Sequence, residues 1–213
     1  LIFSIICKAM TAHPQPATRS RILAAAEQAF LRFGPRKTSM EEIAESAGLA
    51  RATLYLHFAS KKKLYEALLR QITEQFVDDA NQLVAGDMTA PLKFRRFVEL
   101  TANTYSENPL LLAALTGNSA FALKQPAEPV MRDYRGQIQS TIKNILEQGI
   151  EERSVRVLDA DITAYLLYEL GTQLLVKSLN GTSDYPLKST LDAMDTVIAK
   201  GILFAQEDLK KEQ

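Results

Sequence analysis

Ser39 to Lys63 reads SMEEIAESAGLARATLYLHFASKKK, and the fold turns on this stretch. Met40, Ile43, Ala44 and Ala47 recur at i, i+3, i+4 and i+7. That spacing lays one apolar face along a helix, which Gly48 can end in a left-handed conformation. Ser39 and Glu42 have the spacing of a capping box, and Thr38 with Glu41 offers the same geometry one residue earlier. A second short helix, Arg51 to His57, follows after a tight turn. It interleaves groups able to bond phosphate or base edges (Arg51, Thr53, Tyr55, His57) with groups able to pack inward (Leu54, Phe58). One face for a core and one for a groove is what a helix-turn-helix requires.

Upstream, Thr18 to Phe33 keeps Ile22, Leu23, Ala26, Ala29, Phe30 and Phe33 on one helical face, and Gly34-Pro35 stops it. TAHPQPA before it holds two prolines and predicts a flexible arm over residues 1–17. The apolar LIFSIIC opening has no basic residue ahead of it and no clear cleavage site after it, so it reads as a non-signal. Residues 1–9 read as an extension of no structural use. Downstream, Ser60 offers an N-cap, and Leu64, Leu68, Ile72 and Phe76 carry a fourth helix to Ala85, closed by Gly86.

Beyond residue 90 the sequence shows no sustained strand pattern and no repeat. Helices are predicted at Pro91–Glu107, Pro109–Leu123, Pro126 or Glu128–Arg153, Asp159–Leu179 and Pro186–Ala205, with prolines at helix starts where a missing N–H is harmless. The expectation is an all-α protein of about nine helices, with an arm over 1–17, a helix-turn-helix domain over 18–63 and a larger helical domain over 64–213.

The chain has 213 residues, 46% hydrophobic, enough for a packed core. Its net charge is zero, but residues 19–70 hold ten Lys/Arg against five Asp/Glu, whereas residues 71–213 hold fourteen against twenty. The basic charge is gathered around the opening stretch, where a polyanion would bind. One cysteine, Cys7, leaves no internal disulfide and fits a reducing cytoplasm. No apolar run approaches the roughly 20 residues of a membrane span.

Enzymatic chemistry finds few footholds. The two histidines, His13 and His57, lie in the arm and in the short helix, without the neighbours of a nucleophilic triad or the spacing of a zinc site. No glycine-rich phosphate loop, HExxH or GxSxG occurs, and paired acids such as Asp159 and Asp161 suit helix caps. Neither a metal nor a cofactor is expected, and the protein reads as a non-enzyme. A helical small-molecule carrier or enzyme is the alternative class. Lys61, Lys62 and Lys63 occupy a helix's first turn, against the macrodipole, which costs about 0.3–1 kcal/mol each. A phosphate backbone would reverse that penalty.

The run from Thr38 to Leu64, preceded by ILAAAEQAFLRFG, resembles the N-terminal signature of the tetracycline-repressor (TetR) family of bacterial transcription regulators. The resemblance spans about residues 18 to 68 and is most specific in TLYLHFASK. It implies a three-helix DNA-binding domain, a helical domain that binds a small-molecule effector, and dimerisation through the last two helices. By position it implies that Thr38 and Ser39 meet phosphate, that Arg51, Ala52 and Thr53 face the major groove, that Tyr55 and His57 bond the DNA backbone, and that Lys61 clamps a phosphate. Lys62 adds general affinity. Ala52 stands where the family often has glycine and Leu56 where an aromatic is common, so base preference does not transfer.

The C-terminal region supplies aromatic and polar groups for a ligand pocket: Phe97, Tyr105, Asn118, Phe121, Tyr134, Tyr168 and Gln173. The same residues also serve as ordinary core. An apolar or amphipathic molecule suits such a lining. Leu166, Leu167, Leu170, Leu174 and Leu175 on one predicted helix and Leu191, Met194, Val197, Ile198, Ile202 and Leu203 on the next form wide apolar bands, with Leu166, Leu170, Leu174, Leu191, Met194 and Ile198 as the candidate dimer contacts. They are covered either within the chain or by a second copy. The partners expected are double-stranded operator DNA, a small-molecule effector and a second copy, with no membrane.

Overall fold

The computed structural model describes residues 18–116, 127–156 and 159–201. These form nine helices and no strand. They are α1 (Thr18–Phe33), α2 (Met40–Ser46), α3 (Arg51–His57), α4 (Lys61–Ala85), α5 (Ala90–Glu107), α6 (Pro109–Thr116), α7 (Glu128–Glu151), α8 (Ala160–Leu179) and α9 (Leu187–Gly201). They divide into two compact units, one ending at Leu68 and the other beginning at Leu69, inside α4.

The first unit is built on residues whose helical spacing sends them to one core. Ile22, Ala26 and Phe30 of α1, Ile43 of α2, Leu54 of α3, and Leu64 and Tyr65 of α4 are fully buried. Phe30 meets Tyr65 edge-on at 5.9 Å between ring centroids. A large side chain buried this way contributes about 1.5–3 kcal/mol, which fixes α3 despite its seven residues. The turns follow their glycines. Gly34 closes α1 with φ 79° and its N–H on the Phe30 carbonyl, and Gly48 carries the α2–α3 turn at φ 63°. A Cβ at Gly48 would also crowd Arg21, whose guanidinium donates to the Ala47 carbonyl at 2.7 Å and pins the end of α2.

In the second unit α7 and α8 pack side by side, joined by α5, α6 and α9. Phe76 sits between Phe97 (6.1 Å) and Tyr134 (5.8 Å). Buried Lys93 ties the helix ends together by donating to the Val84 carbonyl and the Gln148 side chain, while Gln148 reaches Glu152 and the Met88 carbonyl. Burial draws the Glu152 carboxyl up, but the hydrogen bonds from Ala90, Gln148 and Ser154 outweigh it and hold the group below its ordinary range.

Three sequence expectations are corrected here. α7 ends at Glu151, short of Arg153, because Arg153 takes a left-handed φ of 56° and the Ser154 and Val155 amides fold back onto the Gly149 carbonyl. The leucine band of α8 is two faces: Leu175 turns into the unit, whereas Leu166, Leu170 and Leu174 are exposed. The Thr38–Glu41 cap is not formed, since Thr38 is buried and Ser39 with Glu42 makes the box. The predicted ends at Leu123 and Ala205 lie outside the described residues, as do the arm, Asn118 and Phe121.

Candidate nucleic-acid interface and ligand cavity

The α2–α3 pair is set by its caps and its core. Ser39 Oγ accepts the Glu42 N–H at 3.1 Å and the Glu42 carboxylate accepts the Ser39 N–H at 2.7 Å. The Ser39 N–H, together with the Ser39 hydroxyl donating to the same carboxylate at 3.0 Å, holds the Glu42 carboxyl below its ordinary value. From this platform Leu54 and Phe58 turn inward, which leaves Arg51, Ala52, Tyr55, Leu56 and His57 exposed and Thr53 half-buried. The predicted split between inward and outward residues is therefore realised on α3. Leu56 is 86% exposed, more than any other large hydrophobic residue among the described residues.

Two features here go beyond the sequence reading. The Arg51 guanidinium meets the Glu41 carboxylate at 2.7 Å and lies over the Tyr55 ring, 5.5 Å from its centroid. Thr38, expected to meet phosphate, is buried, and its hydroxyl donates to the Ala29 and Gly34 carbonyls. Its side chain is a brace for the α1–α2 turn. The spacing of Thr38 from Gly34, i to i+4 after a left-handed stop, was the signal for that role.

The three lysines at the start of α4 have different surroundings. Lys61 Nζ donates to the Thr38 carbonyl at 2.7 Å and the Arg36 carbonyl at 3.2 Å, so it straps α4 to the turn before α2. Partial desolvation lowers its pKa, and Glu42 opposes that shift. Lys62 and Lys63 are exposed, with Glu66 at 4.0 and 2.8 Å. Ser60 Oγ caps the Lys63 amide at 3.2 Å. The unfavourable first-turn charge is thus relieved by carbonyls at Lys61 and by Glu66 beyond it.

Between α5, α7, α8 and α9 the second unit holds a partly open cavity of about 40 Å3, walled mostly by apolar side chains, with Thr101, Tyr105, Tyr168 and Thr172 also in its lining. Phe97, Tyr105 and Tyr168 line it as expected. Tyr134 stands behind Tyr105 and donates to its hydroxyl at 3.2 Å. Gln173 is exposed, because the lining positions of α8 are Leu167, Tyr168, Gly171, Thr172 and Leu175, and residue 173 falls on the opposite side of that helical stripe.

The apolar residues expected at an interface separate likewise. Leu166, Leu170 and Leu174 are 49, 62 and 43% exposed. Ile198 is buried, Met194 and Ile198 line the cavity, and Leu191 with Met194 lines a groove beside α5. Val197, 69% exposed, takes the outward position on α9. Among the described residues no cluster of three or more His, Cys, Asp or Glu could hold a metal, and no helix is long and apolar enough to cross a membrane.

Comparison with known proteins matches this geometry. Residues 22–68 fit the profile of bacterial regulatory proteins of the tetR family. The chain is 25% identical over 164 residues to the HTH-type transcriptional regulator YhgD of Bacillus subtilis, covering 72% of this chain and 80% of that one. It is 39% identical over 75 residues to the HTH-type transcriptional regulator TtgR of Pseudomonas putida, 35% of this chain and 36% of that one. Among solved structures, a transcriptional regulator from Saccharomonospora viridis in complex with choline superposes with TM-score 0.72 at 23% identity, covering 90% of this chain and all of that one. FadR from Bacillus subtilis in complex with stearoyl-CoA does so with TM-score 0.69 at 17% identity, covering 86% and 98%. The helix-turn-helix built on Leu54 and Phe58 lies within the stretch, residues 22–68, that is a tetR-family DNA-binding domain, and it makes this chain a DNA-binding transcription regulator.

Proposed function

We propose that the protein is a homodimeric repressor, located in the cytoplasm, that leaves its operator when a small apolar or amphipathic ligand enters the second unit. The observation that carries this reading is α3, whose Arg51, Ala52, Tyr55, Leu56 and His57 stand free of the core beside the exposed Lys62 and Lys63. Each subunit would place α3 in the major groove of one half-site, with half-sites about 34–36 Å apart or a multiple of that. Ser39, at the start of α2, and Thr53 lie where phosphate and base contacts follow from the same docking.

The exposed row Leu166, Leu170 and Leu174 on α8 supports a second copy as its cover, because an apolar stripe of that width is rarely left to water. The cavity lined by Phe97, Tyr105 and Tyr168 supports a ligand. Relatives of the same fold hold choline in one case and stearoyl-CoA in another. A ligand that favours a subunit spacing unfit for adjacent grooves would release DNA by population shift.

The test is light scattering on the free and DNA-bound protein. The reading expects twice the single-chain mass of 23.7 kDa, and two chains per operator duplex. A single chain in both states would exclude the dimeric mechanism. Promoter fusions decide the sign of regulation: deletion of the gene should raise expression from the operator it binds.

A further inference from the structure

The cavity of the second unit holds no side chain with a formal charge among its lining residues. Its walls include Phe97, Val98, Ile138, Leu167 and Leu175, and its polar lining residues are Thr101, Tyr105, Tyr168 and Thr172, each with a hydroxyl. The Thr101 hydroxyl is already committed, donating to the Phe97 carbonyl at 2.7 Å. The Tyr105 oxygen, fully buried, receives the Tyr134 proton at 3.2 Å, with Thr172 also within reach. Tyr105 therefore accepts from the protein and has its own O–H to give.

We propose that this cavity takes an uncharged ligand with an apolar body and one hydrogen-bond-accepting oxygen, seated with that oxygen on the Tyr105 hydroxyl. The inference rests on the effector-binding reading above and assigns its chemical class. The magnitudes decide against ions. Desolvating an ammonium or a carboxylate costs far more than a cation–π contact returns. The aromatic rings of Phe97, Tyr105 and Tyr168 therefore do not hold a cation there, no lining side chain carries a charge to neutralise an anion, and Arg135, outside the lining, is engaged with the Tyr168 hydroxyl. Burial pushes the Tyr105 hydroxyl up to about 12 and Tyr134 well above its ordinary value. Both stay protonated donors and supply no phenolate for a cation.

Size adds a second condition. A benzene-sized body needs about 150 Å3, more than the roughly 40 Å3 of the inner cavity. A groove of about 390 Å3 between α5 and α9 shares Phe94, Val98, Met194 and Ile198 with it. Met194 is unbranched and adaptable, so it is the wall a ligand displaces. The ligand's apolar body then runs past Met194 into the groove. The groove's charged residues, Arg95, Glu99, Asp192 and Asp195, belong to its outer part and not to the inner cavity; Arg95 pairs with Asp195 at 3.4 Å and Glu99 with Arg96 at 3.3 Å.

Isothermal titration calorimetry of the full chain with octan-1-ol, octanoate and octyltrimethylammonium tests this. The alcohol should bind about tenfold or more tightly than either ion. Tyr105→Phe should weaken the alcohol by about five- to tenfold, the loss of one hydrogen bond. Equal or tighter binding of either ion overturns the class assignment while leaving the effector reading in place, as does an unchanged alcohol affinity in Tyr105→Phe. No binding by any of the three overturns the effector reading itself. The ranking of the three compounds on the unsubstituted protein stands even where Tyr105→Phe does not fold.

Discussion

Glu41 and Arg51 form an ion pair at 2.7 Å that ties α2 to the first residue of α3 and holds the guanidinium over Tyr55. With side chains 48 and 65% exposed, the pair adds little to stability, on the order of 0–1 kcal/mol. Its effect is on direction: the one arginine of α3, the helix proposed to face DNA, is committed to a neighbour that a phosphate or base edge would have to replace. Glu41→Gln should therefore raise affinity for random duplex DNA and steepen the salt dependence by about one phosphate contact. Fluorescence anisotropy across a salt series measures both.

Arg51→Ala acts in the opposite sense. It should weaken operator binding by about 1–3 kcal/mol, while thermal unfolding of the protein stays close to that of the parent. Tyr55→Phe should also weaken binding, by less, since it removes one hydroxyl and keeps the ring that carries Arg51. Gel shifts on both variants, read against their melting curves, separate a DNA contact from a folding defect.

Acid should loosen the α2 platform in a defined window. The Glu42 carboxyl is held below its ordinary value of 4.5 by the Ser39 amide and hydroxyl. A depressed carboxyl contributes stability that is present above its unfolded pKa and lost as pH falls through its folded one. The parent should therefore lose this contribution below about pH 4.5, and Glu42→Gln should lack it at pH 7 yet match the parent's acid limb more closely at the lowest pH. Ser39→Ala removes the reciprocal half of the box at a cost of about 1 kcal/mol. Circular dichroism melts between pH 3 and 7 read both.

How much of this was legible beforehand depends on the range of the interaction. The turns at Gly34 and Gly48, the Ser39–Glu42 box and the inward Leu54 and Phe58 are local, fixed by spacing within one or two turns, and the sequence displayed them. Lys61 illustrates the other case. Three lysines in a row read as one patch, but Lys61 finds carbonyls about two dozen residues away at Arg36 and Thr38, and no periodicity announces that. Gln173 was misassigned because a helix so apolar hides which stripe faces inward; only the packing of α8 against α5 and α7 decides it. Lys93 went unnoticed since a lysine on an amphipathic helix ordinarily reaches water, whereas here the end of α4 and Gln148 consume its protons.

Lys93→Met tests that last point. It fills the space but leaves the Val84 carbonyl and the Gln148 side chain without their donor, at a cost of about 1–3 kcal/mol. Chemical denaturation should show a lower midpoint with an unchanged slope. A midpoint equal to the parent's would mean that water replaces the ammonium.

Leu170→Lys, at the centre of the exposed α8 row, should convert a dimer to a monomer with its helix content intact, as judged by light scattering and circular dichroism. Lys at buried Ile198 should instead damage the fold of the second unit. The contrast between the two positions distinguishes a surface covered by another chain from one covered internally.

The central claim is that α3 reads a DNA sequence. Duplexes recovered by the protein from a random pool, and the same duplexes scrambled, can be competed in fluorescence anisotropy at one fixed salt concentration. The account predicts that the recovered sequence binds about 1,000-fold or more tightly than its scrambled counterpart. Equal affinity for the two would contradict it.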